Sequence, residues 1–473
     1  MLFNSFDYLI FLPVVFASYW LLQRNLKLQN FLVLCASYFF YGSWDWRFLF
    51  LIAISTFIDY SCSIQISRSD SARAGKRWLG LSIFANLGLL CFFKYYGFFV
   101  DSWIALFASI GYEMSPWTLS IILPLGISFY TFQTMAYTID VYRGKIEPCK
   151  DYIAFSAFIS FFPQLVAGPI ERASDLLTQV VKPRRFNYIQ SVQGLRLILW
   201  GLFKKVVIAD SLGKGVAPLF NHWADYTGTD MLMAGVFFAF QMYADFSGYA
   251  DIAIGSAKLL GIELRSNFRF PMFSKSVLEF WQRWHISLTK WFTDYLYIPM
   301  GGSKKGLAIA IRNVFIIFLV SGLWHGANWT FIIWGAYQAA FYIPVFAYRK
   351  VYGKPMIGHI HNALLRHIVN IGSVVFTVLV LSVARLFYRA ESIGHSYVML
   401  KKMVTDAFTP ISTPQYLWYI GILIFIELFI RRDERNPIPI KNTFLRYLYC
   451  SALIVAILLH IDSHNEQFLY FQF

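Results

Sequence analysis

Ser321-Gly-Leu-Trp-His-Gly-Ala-Asn-Trp-Thr330 places one histidine, His325, between two glycines and two tryptophans. An apolar run leads in from Arg312 to Val320 and another leads out from Phe331 to Val345, both of membrane-spanning character. Segment 312–348 has basic residues at both ends, Arg312 and then Arg349 and Lys350. It therefore reads as a hairpin or broken helix pair with His325 at its buried end. Carrying an ionisable group to that depth costs on the order of several kcal/mol, so this imidazole is expected to be paired, liganded or catalytic. Gly322 and Gly326 leave room for a bend or for a close approach by another chain or ligand.

The whole chain agrees with a membrane reading. Only 14% of its 473 residues are charged, while 58% are hydrophobic. Soluble domains average about 25% charged residues, so this chain cannot cover a water-facing surface in the usual way. The formal charge of +15 belongs to lysines and arginines at a membrane surface rather than to a nucleic-acid site. Cys35, Cys62, Cys91, Cys149 and Cys450 are scattered without ligand spacing, which indicates neither a disulfide framework nor a metal centre. Met1-Leu-Phe-Asn-Ser-Phe-Asp7 lacks a basic region and a cleavage site, so the first apolar run is expected to be a retained span. No linker or repeat divides residues 1–473, which are expected to form one transmembrane domain.

Expected spans run over 7–23, 29–44, 48–66, 78–101 and 118–139, with a short turn at Trp44-Asp-Trp-Arg47. Basic stretches at 24–27, 68–77 and 143–150 place those connections in the cytoplasm and the N-terminus outside. Residues 151–170 are apolar but have basic groups on both sides, and Phe161-Phe-Pro-Gln-Leu-Val-Ala-Gly-Pro169 supplies helix breaks, so a re-entrant segment is expected there. A span at 192–210, an external loop at 211–229 and a span at 230–260 follow. Residues 263–312 are the least membrane-like and are expected to be amphipathic or partly inserted cytoplasmic helices. After the hairpin come spans at 368–388, 414–430 and 443–460.

Three clusters carry chemistry. His285 lies in Trp281-Gln-Arg-Trp-His-Ile-Ser-Leu-Thr-Lys290 and, with His325, occupies a segment unlike a plain span. It is either a functional imidazole, an interfacial snorkelling residue or a packed hydrogen-bonder. Two histidines without a third partner do not make a metal site. Pro124 and Gly126 within an apolar run indicate a kinked helix beside a close neighbour. Ser128, Tyr130 and Gln133 on it either line a cavity or satisfy the bundle interior. Asp245 and Asp251 are six residues apart and do not share a helix face, so each needs a partner elsewhere; Arg172, Lys258 and Arg283 are candidates. Such aspartates serve function or a structural ion pair. On residues alone, a transporter that uses them as an ion path competes with an enzyme.

Several stretches together resemble one family. They are Pro124-Leu-Gly-Ile-Ser-Phe-Tyr130, Ile139-Asp-Val-Tyr-Arg-Gly144, Pro163-Gln-Leu-Val-Ala-Gly-Pro-Ile170, Asp245-Phe-Ser-Gly-Tyr249, Phe280-Trp-Gln-Arg-Trp-His-Ile-Ser-Leu288, Asp294-Tyr-Leu-Tyr-Ile-Pro299 and Gly322-Leu-Trp-His-Gly-Ala-Asn328. The chain resembles the membrane-bound O-acyltransferases, in the bacterial branch of alginate and peptidoglycan O-acetylation proteins. The resemblance covers essentially the whole chain.

It implies an all-α polytopic bundle of about eleven transmembrane helices with re-entrant segments and a central funnel. It implies catalysis by His325 with His285 as the second polar residue, and transfer of an acyl group to a hydroxyl. Tyr130, Gln133, Asp245, Trp324 and Asn328 would line or support the tunnel. Arg265, Arg269, Lys304 and Lys305 would hold the donor's phosphates, although positive-inside loops look the same. The donor is expected to be acetyl-CoA, with no permanently bound cofactor. The expected setting is the bacterial inner membrane, in contact with lipids and not nucleic acid. The expected partner is a periplasmic SGNH-hydrolase-like acetyltransferase that reaches the polysaccharide acceptor. By likeness to the aromatic tail of the teichoic-acid D-alanylation system, Tyr470 is a candidate acyl carrier; the alternative is a tail that packs back on the bundle. Acylation of a lipid or protein is the nearer alternative activity.

Overall fold

Apolar runs become helices here where a short polar side chain opens them. Ser5, Asn25, Ser71, Asn328, Asn362 and Asn442 each accept a hydrogen bond from a backbone N–H of the following first turn. Each satisfies a donor that no intrahelical carbonyl reaches. The computed structural model describes the chain apart from residues 116–118, 120, 167, 355, 357–360, 462–467 and 470–473. Among the described residues every regular element is helical.

The chain forms two compact units. The first comprises Met1–Leu195 and Ala253–Arg265. It holds α1 (Phe6–Leu21), α2 (Leu26–Asp45), α3 (Leu49–Ser67), α4 (Ala72–Leu90), α5 (Tyr96–Ser109), α6 (Ile127–Tyr142), α7 (Tyr152–Ile159), α8 (Phe162–Leu165) and α9 (Leu176–Val180). The second comprises Arg196–Ile252 and Ser266–Phe473. The chain enters it along α10 (Tyr188–Leu202), continues through α11 (Asp210–Asn221), and leaves it for a stretch along α12 (Gly228–Leu259). It then forms α13 (Val277–Arg283), α14 (Ile286–Phe292), α15 (Leu307–His325), α16 (Trp329–Tyr352), α17 (Ala363–Arg389), α18 (Ile393–Thr405), α19 (Leu417–Ile430) and α20 (Thr443–His460).

Among the described residues six helical stretches are long and apolar enough to cross a membrane: Leu26–Ser67, Ala72–Ser109, α15, α16, α17 and α20. Bare apolar side chains such as Phe84, Phe376 and Phe444 stand on their outer faces, as they must where the solvent is hydrocarbon. The protein is a multi-pass integral membrane protein. Leu26–Ser67 contains two of the expected spans, separated by a single tight turn at Trp46–Phe48. A count of eleven spans needs the shorter apolar helices as well.

The expected re-entrant stretch is α7 and α8, of eight and four residues. Neither is long enough to span, and the side chains of Phe155, Phe158, Phe161 and Phe162 are buried. Irregular backbone at membrane depth is tolerated under that condition.

Two expectations are corrected. The run 118–139 is not a kinked helix, because α6 starts only at Ile127 and Gly126 before it is left-handed at φ 71°. A right-handed helix does not propagate back through such a residue. The close neighbour is real: a Cβ on Gly126 would sit 2.7 Å from the Leu165 carbonyl oxygen. Second, 211–229 is not mainly loop. A π-helical stretch, Phe203–Ala209, carries α10 into α11 and the helix runs on to Asn221. Its polar Asp210 is neutralised 2.7 Å from Lys205, which removes the reason to leave the bundle. In the middle of 263–312, expected to be amphipathic or partly inserted, Val277, Leu278, Phe280, Trp281 and Trp284 are buried while Gln282 is exposed.

The hairpin expected around His325 is α15 and α16, joined by Gly326-Ala327-Asn328. Gly322 lets them touch, since a Cβ there would collide with the Phe331 carbonyl of α16. Gly322→Ala should therefore cost about 1–3 kcal/mol by overpacking. Gly421→Ala on α19, where a Cβ meets nothing within 4 Å, should leave the thermal midpoint of the solubilised protein unchanged. Equal midpoints for the two variants would contradict the packing argument.

Candidate active site

His325 ends α15, and only 3% of it is exposed. Gly326 turns to extended backbone after it and donates its N–H to the Gly322 carbonyl at 3.3 Å. The imidazole sits in an aromatic box. Its ring centre lies 4.9 Å from that of Trp324, 5.1 Å from Trp334 and 5.7 Å from Tyr388, all edge-on. Its Nδ1 is 3.3 Å from the Tyr388 hydroxyl. Tyr388, on the last turn of α17, is itself held by Phe331 at 4.8 Å and by the Arg385 guanidinium at 5.5 Å. A ring nitrogen fixed in this way determines which face of the imidazole is available and which tautomer it adopts.

His285 reaches the same cluster from the α13–α14 junction. It is fully buried, so it is not an interfacial snorkelling residue. Its backbone is left-handed, at φ 43° and ψ 53°. A non-glycine residue in that region costs on the order of 1–3 kcal/mol and persists only where the surroundings hold it. Asn267 does the holding: its carbonyl accepts Ile286 N–H at 3.0 Å, and its Oδ1 accepts Ser287 N–H at 3.2 Å and Ser287 Oγ–H at 2.9 Å. Trp324 lies between the two histidines, 5.8 Å from the His285 ring, while Phe246 packs on the other side at 4.8 Å. The seven-residue helices flanking His285 do not span, and burial pushes its pKa down to about 3. The ring is neutral at physiological pH, with one N–H to donate.

Asp245 is buried and ion-paired, but not with any of the expected candidates. Lys205 lies 2.9 Å from it and 2.7 Å from Asp210, while Lys204 lies 2.7 Å from Asp251. Arg283 pairs with Glu279, and Lys258 with Glu263. The two lysines sit in the π-helical stretch, whose wider turn lets adjacent residues both face α12. Sequence reasoning passed over them because they stood at the end of an otherwise plain span. Arg385 and Tyr388 were missed likewise. Lysine or arginine within an apolar run was the available signal.

The remaining site candidates are dispersed. Asn328 caps α16 through Thr330 N–H at 3.0 Å and donates to the Glu391 carbonyl at 3.2 Å. Tyr130 and Gln133 lie on α6 in the first unit. Gln133 donates to the Phe158 carbonyl at 3.0 Å and accepts from Gln164 at 2.8 Å, tying α6 to α7 and α8. Arg265 pairs with Asp175 in the first unit, and Arg269 with Glu434 at 3.1 Å in the second. Lys304 and Lys305 stand exposed on the loop before α15, where Lys350 also donates to the Ser303 carbonyl at 2.8 Å. Tyr470 lies outside the described residues. Its neighbours are placed: Phe468 stacks on Tyr249 at 4.3 Å, and Leu469 N–H donates to Asp245 at 2.9 Å.

Two cavities flank this cluster. One, of about 270 Å3, is mostly apolar and runs from Tyr297 and Ser303 at the basic loop, past Phe292 and Tyr342, to Trp281 and Ser321. Ser321 is one turn before His325. The other, of about 250 Å3, is polar and lined by Lys205, Asp210, Gln241, Asp245, Arg389 and Leu469. Arg389 directly follows Tyr388, and the buried Gln241 Oε1 has no hydrogen-bond partner among the described residues. No group of three or more metal-binding side chains occurs among the described residues.

This geometry coincides with a region of similarity to known proteins. A profile described as MBOAT, the membrane-bound O-acyltransferase family, matches residues 149–388, which include His285 and His325 and end on Tyr388. A probable alginate O-acetylase of Azotobacter vinelandii is 41% identical over 72% of this chain and 67% of its own length. One from Pseudomonas aeruginosa is 38% identical over 85% of this chain and 75% of its own. A peptidoglycan O-acetyltransferase of Helicobacter pylori is 36% identical over 69% and 66%.

Proposed function

The chain belongs to the membrane-bound O-acyltransferase family, and from that membership we propose that it takes acetyl groups from acetyl-CoA at the cytoplasmic face of the bacterial inner membrane and passes them outward for O-acetylation of a cell-surface or cell-wall polysaccharide. It is an O-acyltransferase, which sets aside a transporter without chemistry. The acetyl group and the polymer are carried over from the activities that its relatives are named for. The observation that carries the reading is the buried His325 held against Tyr388.

In the proposed reaction Nδ1–H of His325 donates to Tyr388 Oη, which leaves the Nε2 lone pair to take the proton of an acceptor hydroxyl. The hydroxyl oxygen attacks the thioester carbonyl; its C–O bond forms as the C–S bond breaks, and the departing thiolate takes that proton back from His325 to become free CoA. A neutral imidazole base suits this exchange. The His285 N–H is the proposed donor to the developing oxyanion, and its uncharged state keeps it from repelling a proton-bearing His325.

The apolar cleft fits the donor's thin pantetheine arm, with Lys304, Lys305 and Lys350 at its mouth for the phosphates. Arg265 and Arg269 are weaker candidates for that role, because each already faces a carboxylate. The polar cavity is the proposed acceptor side, where Gln241 and Arg389 meet a hydroxyl-bearing group. Beyond it a periplasmic SGNH-hydrolase-like acetyltransferase would complete delivery to the polymer, with Tyr470 as the external carrier.

Inside-out membrane vesicles supplied with acetyl-CoA labelled in its acetyl group test this directly. Label should become covalently bound to the chain or to a polymer, and Tyr470→Phe should remove the chain-bound fraction alone. Label recovered in extracted lipid or in another protein would point to the nearer alternatives. No consumption of acetyl-CoA would reject it as donor.

A further inference from the structure

A groove of about 1080 Å3 opens in the second unit between the π-helical stretch with α11, α19 and α20. The acyl-transfer reading makes no use of it. Its length is apolar, with Phe203, Ile426, Leu453 and Ala456 among its walls. One end is polar, formed by Lys214, Gln415 and the Tyr419–His460 pair, whose Oη and Nε2 are 3.4 Å apart. We propose that this groove binds one glycerophospholipid, acyl chains along the apolar walls and phosphate at the Lys214 end.

Three observations converge on that occupant. A groove with walls this apolar that opens to the bilayer is filled by hydrocarbon rather than water. The groove follows α20 from Tyr449 to His460, a rise of about 16 Å at helical spacing. That is half of the roughly 30 Å hydrocarbon thickness, the depth of one leaflet. Finally, the polarity is graded end to end as in an amphiphile, with a cation where the phosphate of a lipid would lie.

The leaflet follows from charge. The opposite ends of α19 and α20 meet at Arg431, Arg432 and Lys441, which are exposed and mark the cytoplasmic side. The Lys214 end is therefore external, and the lipid belongs to the outer leaflet. α20 is the candidate span with the smallest buried share, 11%, so the groove is accessible from the bilayer. α11 also presents Gly213 and Val216 to the polar cavity on its other side, so a lipid here braces the helix that carries Asp210.

The full-length protein, reconstituted with phosphatidylglycerol bearing a photoreactive group on one acyl chain, gives the test, together with native mass spectrometry of the detergent-purified protein. We expect one retained phospholipid and crosslinks concentrated on the groove walls of α19 and α20. Ala452→Trp with Ala456→Trp fills the groove and should lower both signals at least tenfold, while Leu458→Trp on the exposed face of α20 should not. Lys214→Glu, which leaves the groove open, should reduce labelling by phosphatidylglycerol relative to phosphatidylcholine. Crosslinks spread evenly around α20, unchanged labelling in the filled groove, or a co-purifying protein helix crosslinked there in place of lipid would each overturn the proposal.

Discussion

In cells carrying His325→Ala at wild-type membrane levels, O-acetyl on the modified polymer falls to background. Removing a general acid–base group typically costs 10²–10⁴-fold in rate, about 3–5 kcal/mol of barrier. The aromatic box predicts that the loss is chemical rather than structural. Phe331 and Trp334 each pack on Tyr388, and Trp324 packs on His285, so the small cavity left by alanine is bounded by large rings that have other partners. The check is O-acetyl content of surface polysaccharide and cell wall beside the thermal midpoint of the purified variant. Unchanged acetylation would remove His325 from the chemistry. Tyr388→Phe separates tautomer from packing, because it keeps the ring and deletes only the hydroxyl 3.3 Å from Nδ1. Its expected effect is roughly tenfold on kcat, in the range seen for second partners of an imidazole, with little change in stability. A variant as inactive as His325→Ala would mean that the hydroxyl itself takes part in the reaction.

The hairpin and its histidine were legible because the local sequence is contradictory: an ionisable ring and two glycines interrupt runs that otherwise want to be straight apolar helices. The same kind of contradiction marked α7 and α8, where Pro163 and flanking charge ruled out a simple crossing. What sequence could not supply was the partner of each buried charge. Asp245 announces a need for a cation, but Lys258 lies on its own helix and Lys205 forty residues upstream, and only the packing of α10 and α11 against α12 chooses between them. The π-helical stretch is invisible to a 3.6-residue period, which is why the helix seemed to stop where Asp210 began. His285 carried a histidine signal without a depth signal: its neighbours Arg283 and Lys290 read as surface, although His285 and the tryptophans around it are buried.

Lys205→Met is expected to be the most damaging substitution outside the histidines, and clearly worse than Asp245→Asn. Lys205 lies between Asp245 and Asp210, at 2.9 and 2.7 Å, with 2% of its side chain exposed. Methionine keeps much of the volume but leaves two carboxylates facing each other in a low-dielectric interior. Breaking a buried pair by deleting one partner costs about 3–5 kcal/mol, and here one deletion takes the lysine from two carboxylates. Asp245→Asn is different. Lys205 keeps Asp210, and the asparagine carbonyl oxygen can still accept the Leu469 N–H that Asp245 accepts at 2.9 Å. That loss should be nearer 1–2 kcal/mol, the range for a weakened hydrogen bond to a charged group. The double variant Lys205→Met with Asp245→Asn restores part of the stability of Lys205→Met, because one of the two carboxylates that lost the lysine is no longer charged. The comparison is made on membrane abundance and on the unfolding midpoint in detergent for the two single variants and the double. If both single variants lose equal stability, the network is a simple pair and Asp210 does not share the lysine. If the double is worse than Lys205→Met, the carboxylate of Asp245 has a second role at the polar cavity, beside Gln241 and Arg389, that the ion pair does not explain.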